Sequence, residues 1–333
     1  SIQTATFTNA GTFNLNQSSP SANIIGTGVF SNSANLINTS TVPSVIAATF
    51  VNSAGVINIQ QGSLGLSAAD LTLGGGVLTG SGAFTGNVLA DSGSTVAPGN
   101  AGPGTLSITG DVTFNSGSTF EVELDSGAVN DLLDITGRVT VNTGATLLVQ
   151  GFNTYAGTFN DSFSVISSTT GPVSGSFDNV LQDASFTVTP NYSVTTPGEM
   201  ILDVTGLNNF WLLSVDGSWE TAANWSRNVV PGLGHDVIID NGPLTVSYST
   251  AGTSPDSTIN TLTGGLSSNL SLTTGSELTV TDINMLGGLS LDNAILTVNG
   301  NLLANTISAA NTSLLKGSGN LDAVSSLTLL NST

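Results

Sequence analysis

Three short segments near the start of the chain follow one grammar: TFTNAGTFNLN at 6–16, VFSNSANLINT at 29–39 and TFVNSAGVINI at 49–59. Each places Phe-x-Asn before a small pair, then an apolar residue with an Asn close behind. Phe7, Phe30 and Phe50 stand 23 and 20 residues apart. A near-constant period of this length fits one coil of a β-solenoid, in which every turn contributes two or three short strands. A barrel or a sandwich has no reason to keep it.

The pattern continues through DLTLGGGVLTGSGAFTGNVLADSGSTVAP at 70–98, where Leu71, Leu73, Val77, Leu78, Phe84, Val88 and Val96 recur on short alternating pieces. Alternation by two sends one set of side chains inward and the next to solvent, and glycine supplies corners that need a positive φ. From residue 105 the pieces lengthen, into TLSITGDVTFNSGSTFEVELD at 105–125 and DLLDITGRVTVNTGATLLVQ at 131–150. Between the two styles lies VAPGNAGPGT at 96–105, with Pro98 and Pro103, which has the look of a linker. Because repeats flank it on both sides, it reads instead as a wide corner inside one continuous solenoid.

Composition points the same way. Only 8% of the 333 residues are charged, where about 25% is usual. Gly, Ser, Thr and Asn take their place, and these suit turns and pleated strands rather than helices. An all-β chain is expected. Against 22 acidic residues stand three basic ones, Arg138, Arg227 and Lys316, for a net charge of −19. Nucleic acids and acidic membrane surfaces are gripped by clusters of Lys and Arg, so neither is an expected partner. No apolar run of about 18 residues is present, and no membrane insertion is expected. With no cysteine, stability must come from repeated packing rather than disulfides. The opening SIQTATFTNAG lacks a basic segment followed by an apolar one, as in a mature product or an excised piece.

The run STVAPGNAGPGTLSITGDVTFNSGSTFEVEL, followed by NDLLDITGRVTVNTGATLLVQ, resembles the passenger-associated transport repeat of bacterial autotransporters and related giant surface proteins. A Pro-Gly-Asn turn, a Gly-Thr-Leu strand, an acidic Glu-x-Glu-Leu strand and an Asp-x-Leu-x-Ile-x-Gly strand follow in that family's order. The resemblance covers about 91–206 and implies a right-handed parallel β-helix (β-solenoid), with irregular or antiparallel β insertions allowed. It also implies an extracellular place on a bacterial cell surface. A later stretch, GSWETAANW at 217–225, resembles the tryptophan-bearing units that open repeat blocks in large bacterial exoproteins. Three segments are expected: short coils over 1–90, the transport-repeat-like unit over 91–206, and a tryptophan-bearing junction followed by further coils over 207–333.

Candidate chemistry is sparse. His235 is the only histidine. Asp236, next to it, would point to the opposite face of a strand, so no Ser-His-Asp triad is expected and His235 reads as a surface residue at a strand start. Glu121, Glu123, Asp125, Asp131 and Asp134 fall within fourteen residues. Calcium takes six to eight oxygens, which such a cluster could supply; a solvated acidic face is the plain alternative, and no other cofactor is expected. Glu121 and Glu123 share one strand face, and a carboxylate pair spanning a sugar cleft is also what glycoside hydrolysis requires. Trp219 and Trp225 are candidates for stacking on sugar rings, or alternatively fill an irregular gap between solenoid blocks together with Trp211.

Taken together these features predict an extracellular structural or adhesive β-solenoid, a stalk segment or fibre subunit without catalysis. The alternative is a β-helix carbohydrate-active enzyme or sugar-binding module. Both ends, Ser1 and Thr333, stop in repeat-like sequence without polar caps. Expected partners are therefore a continuing chain, or copies of itself associating end to end or laterally, with surface glycans as a further possibility.

Overall fold

The computed structural model describes residues 5–18, 22–67, 70–127, 129–193, 197–249 and 257–330. Ser1 and Thr333, on which the expectation of uncapped ends rests, lie outside the described residues. Among those described, the one helical element is a single 3-10 turn at Ala222–Asn224, and strands and turns make up the rest. Two compact units are formed, one from Ser1–Asp183 with Val188–Val204, the other from Ala184–Thr187 with Thr205–Thr333. The division falls inside the strand Gly198–Phe210. No break occurs near residue 90, where the ladders run on through the pairs Val88↔Val112 and Thr95↔Thr119.

In the first unit each coil lays one strand on each of three parallel sheets. One sheet stacks Thr6–Asn9, Val29–Asn32, Thr49–Ser53, Leu71–Gly74, Val88–Ala90, Val112–Phe114 and Val139–Val141. A second stacks Thr12–Leu15, Asn35–Asn38, Val56–Ile59, Val77–Gly80, Thr95–Pro98, Thr119–Asp125, Thr146–Gly151 and Asn179–Gln182. The third runs from Ala22–Ile24 through Thr105–Thr109 and Leu132–Ile135 to Ser162–Ser168. There the pattern changes: residues 198–203 pair antiparallel with Ser162–Ser168, across a register shift between Ser164 and Ile166. A second antiparallel piece, Val129–Asn130, lies against the end of Thr119–Asp125.

Alternation in the sequence builds the core directly. Leu36, Ile57, Leu78, Val96, Phe120 and Leu147 are successive register partners in the second sheet and all are buried. Identical spacing of about 4.8 Å puts each in contact with the next, and each such burial contributes about 1.5–3 kcal/mol. At the corner between the first two sheets the buried column is polar. Asn9 Nδ2 donates to Asn32 Oδ1 at 2.7 Å, and Asn32 Nδ2 donates to Asn52 Oδ1 at 2.8 Å. Asn52 Nδ2 then donates to the carbonyl of Gly55 at 2.9 Å. The Asn of each Phe-x-Asn thus satisfies its neighbour, as a buried amide must.

The second unit also presents three parallel faces, and here single strands turn corners. Glu277–Asp292 is 16 residues long and contributes to all three. Leu302–Ala310 and Leu321–Leu330 each serve two. The offset between coils shrinks from 25 residues at Asp236↔Thr261 to 19 at Ile283↔Leu302 and Leu302↔Leu321, and polar contacts hold the last coils at that offset: Asn301 N–H donates to Asp282 Oδ1 at 2.6 Å and Asn320 Nδ2 to Asn301 Oδ1 at 3.3 Å. The core runs from the three tryptophans through Val237, Leu262, Leu270, Val280, Leu289 and Leu296 to Ile307. The chain is a parallel β-solenoid in both units.

Candidate functional site

Thr119–Asp125 alternates as its sequence demands, with Phe120, Val122 and Leu124 buried and Glu121, Glu123 and Asp125 facing out. One coil earlier the chain leaves Thr95–Pro98 through the corner 98–104 and enters Thr105–Thr109 on the third sheet. The corner folds back over preceding coils: the carbonyl of Gly99 accepts from Thr79 Oγ1 at 3.0 Å and from the Gly80 N–H at 2.9 Å. Asn58 Nδ2 donates to Asn100 Oδ1 at 3.1 Å. Gly99 has φ +90, and a Cβ there would lie 2.3 Å from the Gly102 carbonyl and 2.7 Å from Asp131 Oδ1. Only glycine fits where the corner closes on that carboxyl.

Asp131 is 1% exposed. Its Oδ1 accepts the Gly104 N–H and its Oδ2 accepts the Glu123 N–H, both at 2.8 Å. The side chain therefore joins the corner to the acidic strand. Burial pushes its carboxyl up to about 7, against the pull of the two N–H groups, and the charges of Glu123 and Glu121 add to the rise. Glu123 is also raised, by burial first and by Glu121 second. A groove of about 170 Å³ opens here, lined by Thr79, Ala97, Gly102, Glu121, Glu123 and Asp131.

Of the five acids grouped by sequence, these three come together and two do not. Asp125 accepts from the Ser126 N–H at 2.7 Å and from Asn153 Nδ2 at 3.1 Å. Asp134 sits on the third sheet, in register between Ser107 and Ser167. Asp134 is thus parted from Glu121, Glu123 and Asp131 because the strand Leu132–Ile135, on which it lies, belongs to the third sheet. Among the described residues no group of three or more His, Asp or Glu side chains is arranged to hold a metal ion.

The tryptophans correct a second expectation. Trp219 is 0% and Trp225 1% exposed, so neither ring face is open to a sugar. Trp225 packs edge-to-face on Trp211 and Trp219, with centroids 5.0 and 4.9 Å away, and Tyr248 lies 5.4 Å from Trp219. The Trp225 indole N–H donates to the Trp219 carbonyl at 2.7 Å. These rings fill the first turns of the second unit's core.

His235 is a third correction, since it is buried rather than at the surface, with 8% exposure at the start of His235–Ile239. Its Nδ1 accepts the Gly232 N–H at 3.2 Å and faces Asn209 Nδ2 at 3.3 Å. Burial, and then the charge of Arg227, lower its pKa to about 4, so the ring is neutral at pH 7. Asp236 does point the other way, accepting Asn260 Nδ2 and Thr261 Oγ1 at 2.7 Å each. The partners of His235 among the described residues, Asn209 Nδ2 and the Gly232 N–H, include neither a hydroxyl nor a carboxylate.

No protein-family model matches the chain, and no curated protein sequence matches it significantly. What fold and site define is a class: a β-solenoid of parallel stacked coils with one glycine-rich corner closed over a buried aspartate.

Proposed function

We propose that the chain is a stalk segment of a large extracellular bacterial surface protein, or a fibre subunit, that acts by geometry rather than by catalysis. The observation that supports this most is the stacking of parallel strands within each unit, in which core columns repeat coil after coil and, over the first three coils, a column of asparagines repeats with them. Such stacking makes a stiff element whose stability is shared between neighbours, which suits carrying a binding tip away from a cell. The acidic, cysteine-free composition and the transport-repeat-like run at 91–206 favour the same reading. Partners are then the rest of a longer chain or further copies, and surface glycans.

Antibodies raised against the folded chain test this on the organism that encodes it. Labelling of intact cells, lost on protease shaving, is expected. Labelling only after permeabilisation would overturn the proposal. A carbohydrate-active role keeps one supporting observation, the groove bearing Glu121, Glu123 and Asp131. Glycan turnover abolished by Glu123→Gln would favour it over the stalk.

A further inference from the structure

Asn209 is 0% exposed, and the bonds of its two amide atoms fix which way it lies. Its Oδ1 accepts the Arg227 N–H at 3.2 Å, and its Nδ2 donates to the Val229 carbonyl at 3.2 Å. Exchanging the two atoms would set donor against donor and acceptor against acceptor. The Nδ2 that faces His235 Nδ1 at 3.3 Å is therefore a donor there too. The Gly232 N–H, which can only donate, reaches the same Nδ1 at 3.2 Å. With two donors converging on it, Nδ1 is the bare ring nitrogen, and the hydrogen of the neutral imidazole sits on Nε2. Asn209 and His235 between them tie Arg227, Val229 and Gly232 of loop 226–234 to the coil.

We propose that His235 and Asn209 form an acid-released latch: the neutral imidazole holds loop 226–234 against residues 207–210 and 235–239, and a proton on Nδ1 frees the loop. A proton at Nδ1 has no acceptor to meet. It faces the Gly232 N–H and the Asn209 amide, so both hydrogen bonds become contacts between donors and the Gly232 N–H loses its partner. The new charge also faces that of Arg227, whose Nη1 is fixed on the Ser185 carbonyl at 2.9 Å.

No carboxylate offsets this. Asp236, the neighbour on the same strand, is turned away onto Asn260 and Thr261. Residues 207–210, residues 184–187 and Ser257–Gly264 on the next coil carry no titratable side chain, and loop 226–234 carries only Arg227. The loop lies outside the ladders, whereas His235–Ile239 is paired with a strand on each side, so it is the loop that yields.

Geometry sets the direction, and the ring's lowered pKa, about 4 against an ordinary 6.5, agrees with it. The closed latch binds the proton more weakly than the open one. Closure is therefore full above about pH 6.5 and is lost as pH falls through about 4.

His235 is the only histidine, so NMR of imidazole nitrogens on the whole chain reads this one ring. At about pH 7 it should show hydrogen on Nε2 and none on Nδ1. Exchange at the Gly232 and Arg227 amides, divided by the intrinsic rates, should lose about tenfold in protection per unit of pH as pH falls from about 6 to about 4.5. His235→Gln keeps a side-chain acceptor that does not titrate and should flatten this dependence. Asn209→Asp sets a carboxylate beside Nδ1, which should raise the ring's pKa by about one unit or more and carry the loss of protection up with it. Hydrogen on Nδ1 in the neutral ring, or Gly232 protection that does not follow the ring's titration, would overturn the proposal. Should either variant fail to fold, the native chain decides, since ring and amides are read in the same sample.

Discussion

Asn32 is 0% exposed, yet it is polar on every heteroatom of its side chain. It is stable there only because Asn9 and Asn52 take up its amide on either side, and because glycine stands where a Cβ would collide: one added at Gly55 would lie 2.3 Å from Asn32 Nδ2. Asn32→Leu removes the middle of this column and leaves two buried amides short of partners. A loss of about 2–4 kcal/mol from the first unit is expected in urea denaturation followed by circular dichroism. Asn14→Ala, on the exposed face of Thr12–Leu15, should change stability by less than about 0.5 kcal/mol. Equal effects would mean that the column contributes nothing. These asparagines are legible in the sequence because they recur at the coil period. Asp131 is legible only as one acid among five. Its burial depends on a register of 27 residues that brings Gly104 beside it, and local spacing carries no trace of that. The burial of His235 escapes the sequence for a related reason: alternation says which strand residues face in, but the buried pocket is completed by Asn209 and the Gly232 N–H from other segments.

At the scale of elements the tryptophan-bearing loop is the least regular part of the described chain. Residues 211–225 carry all three indoles inward and close with an antiparallel bridge between Trp211 and Trp225. Their indole N–H groups are not equivalent. That of Trp225 reaches the Trp219 carbonyl at 2.7 Å, whereas that of Trp219 meets no acceptor among the described residues. Trp225→Phe should therefore cost more than Trp219→Phe, by about 1 kcal/mol, in thermal or urea unfolding of the second unit. The reverse order would show that ring packing, not the hydrogen bond, decides. From sequence alone the trio admits both a sugar platform and a structural plug, because aromatic rings serve either use. The strands themselves are readable, since Thr119–Asp125 alternates without exception. The corner at 98–104 is readable as a corner because repeats flank it, although its fold back over Thr79 and Gly80 is not.

For the whole molecule the stalk proposal makes load the relevant property. Each coil is bonded to its neighbours in the stack, so force applied through the chain ends meets one ladder at a time. The last described coils repeat every 19 residues, as in the pairs Leu302↔Leu321 and Ile283↔Leu302. Peeling one such coil should release about 70 Å of contour, at about 3.6 Å per residue. Single-molecule force spectroscopy on the full chain, tethered at both ends, measures this directly. A train of releases near that length, one per coil, is the result that stacked load-bearing coils predict. Two large releases, each emptying a whole unit in one event, would contradict it.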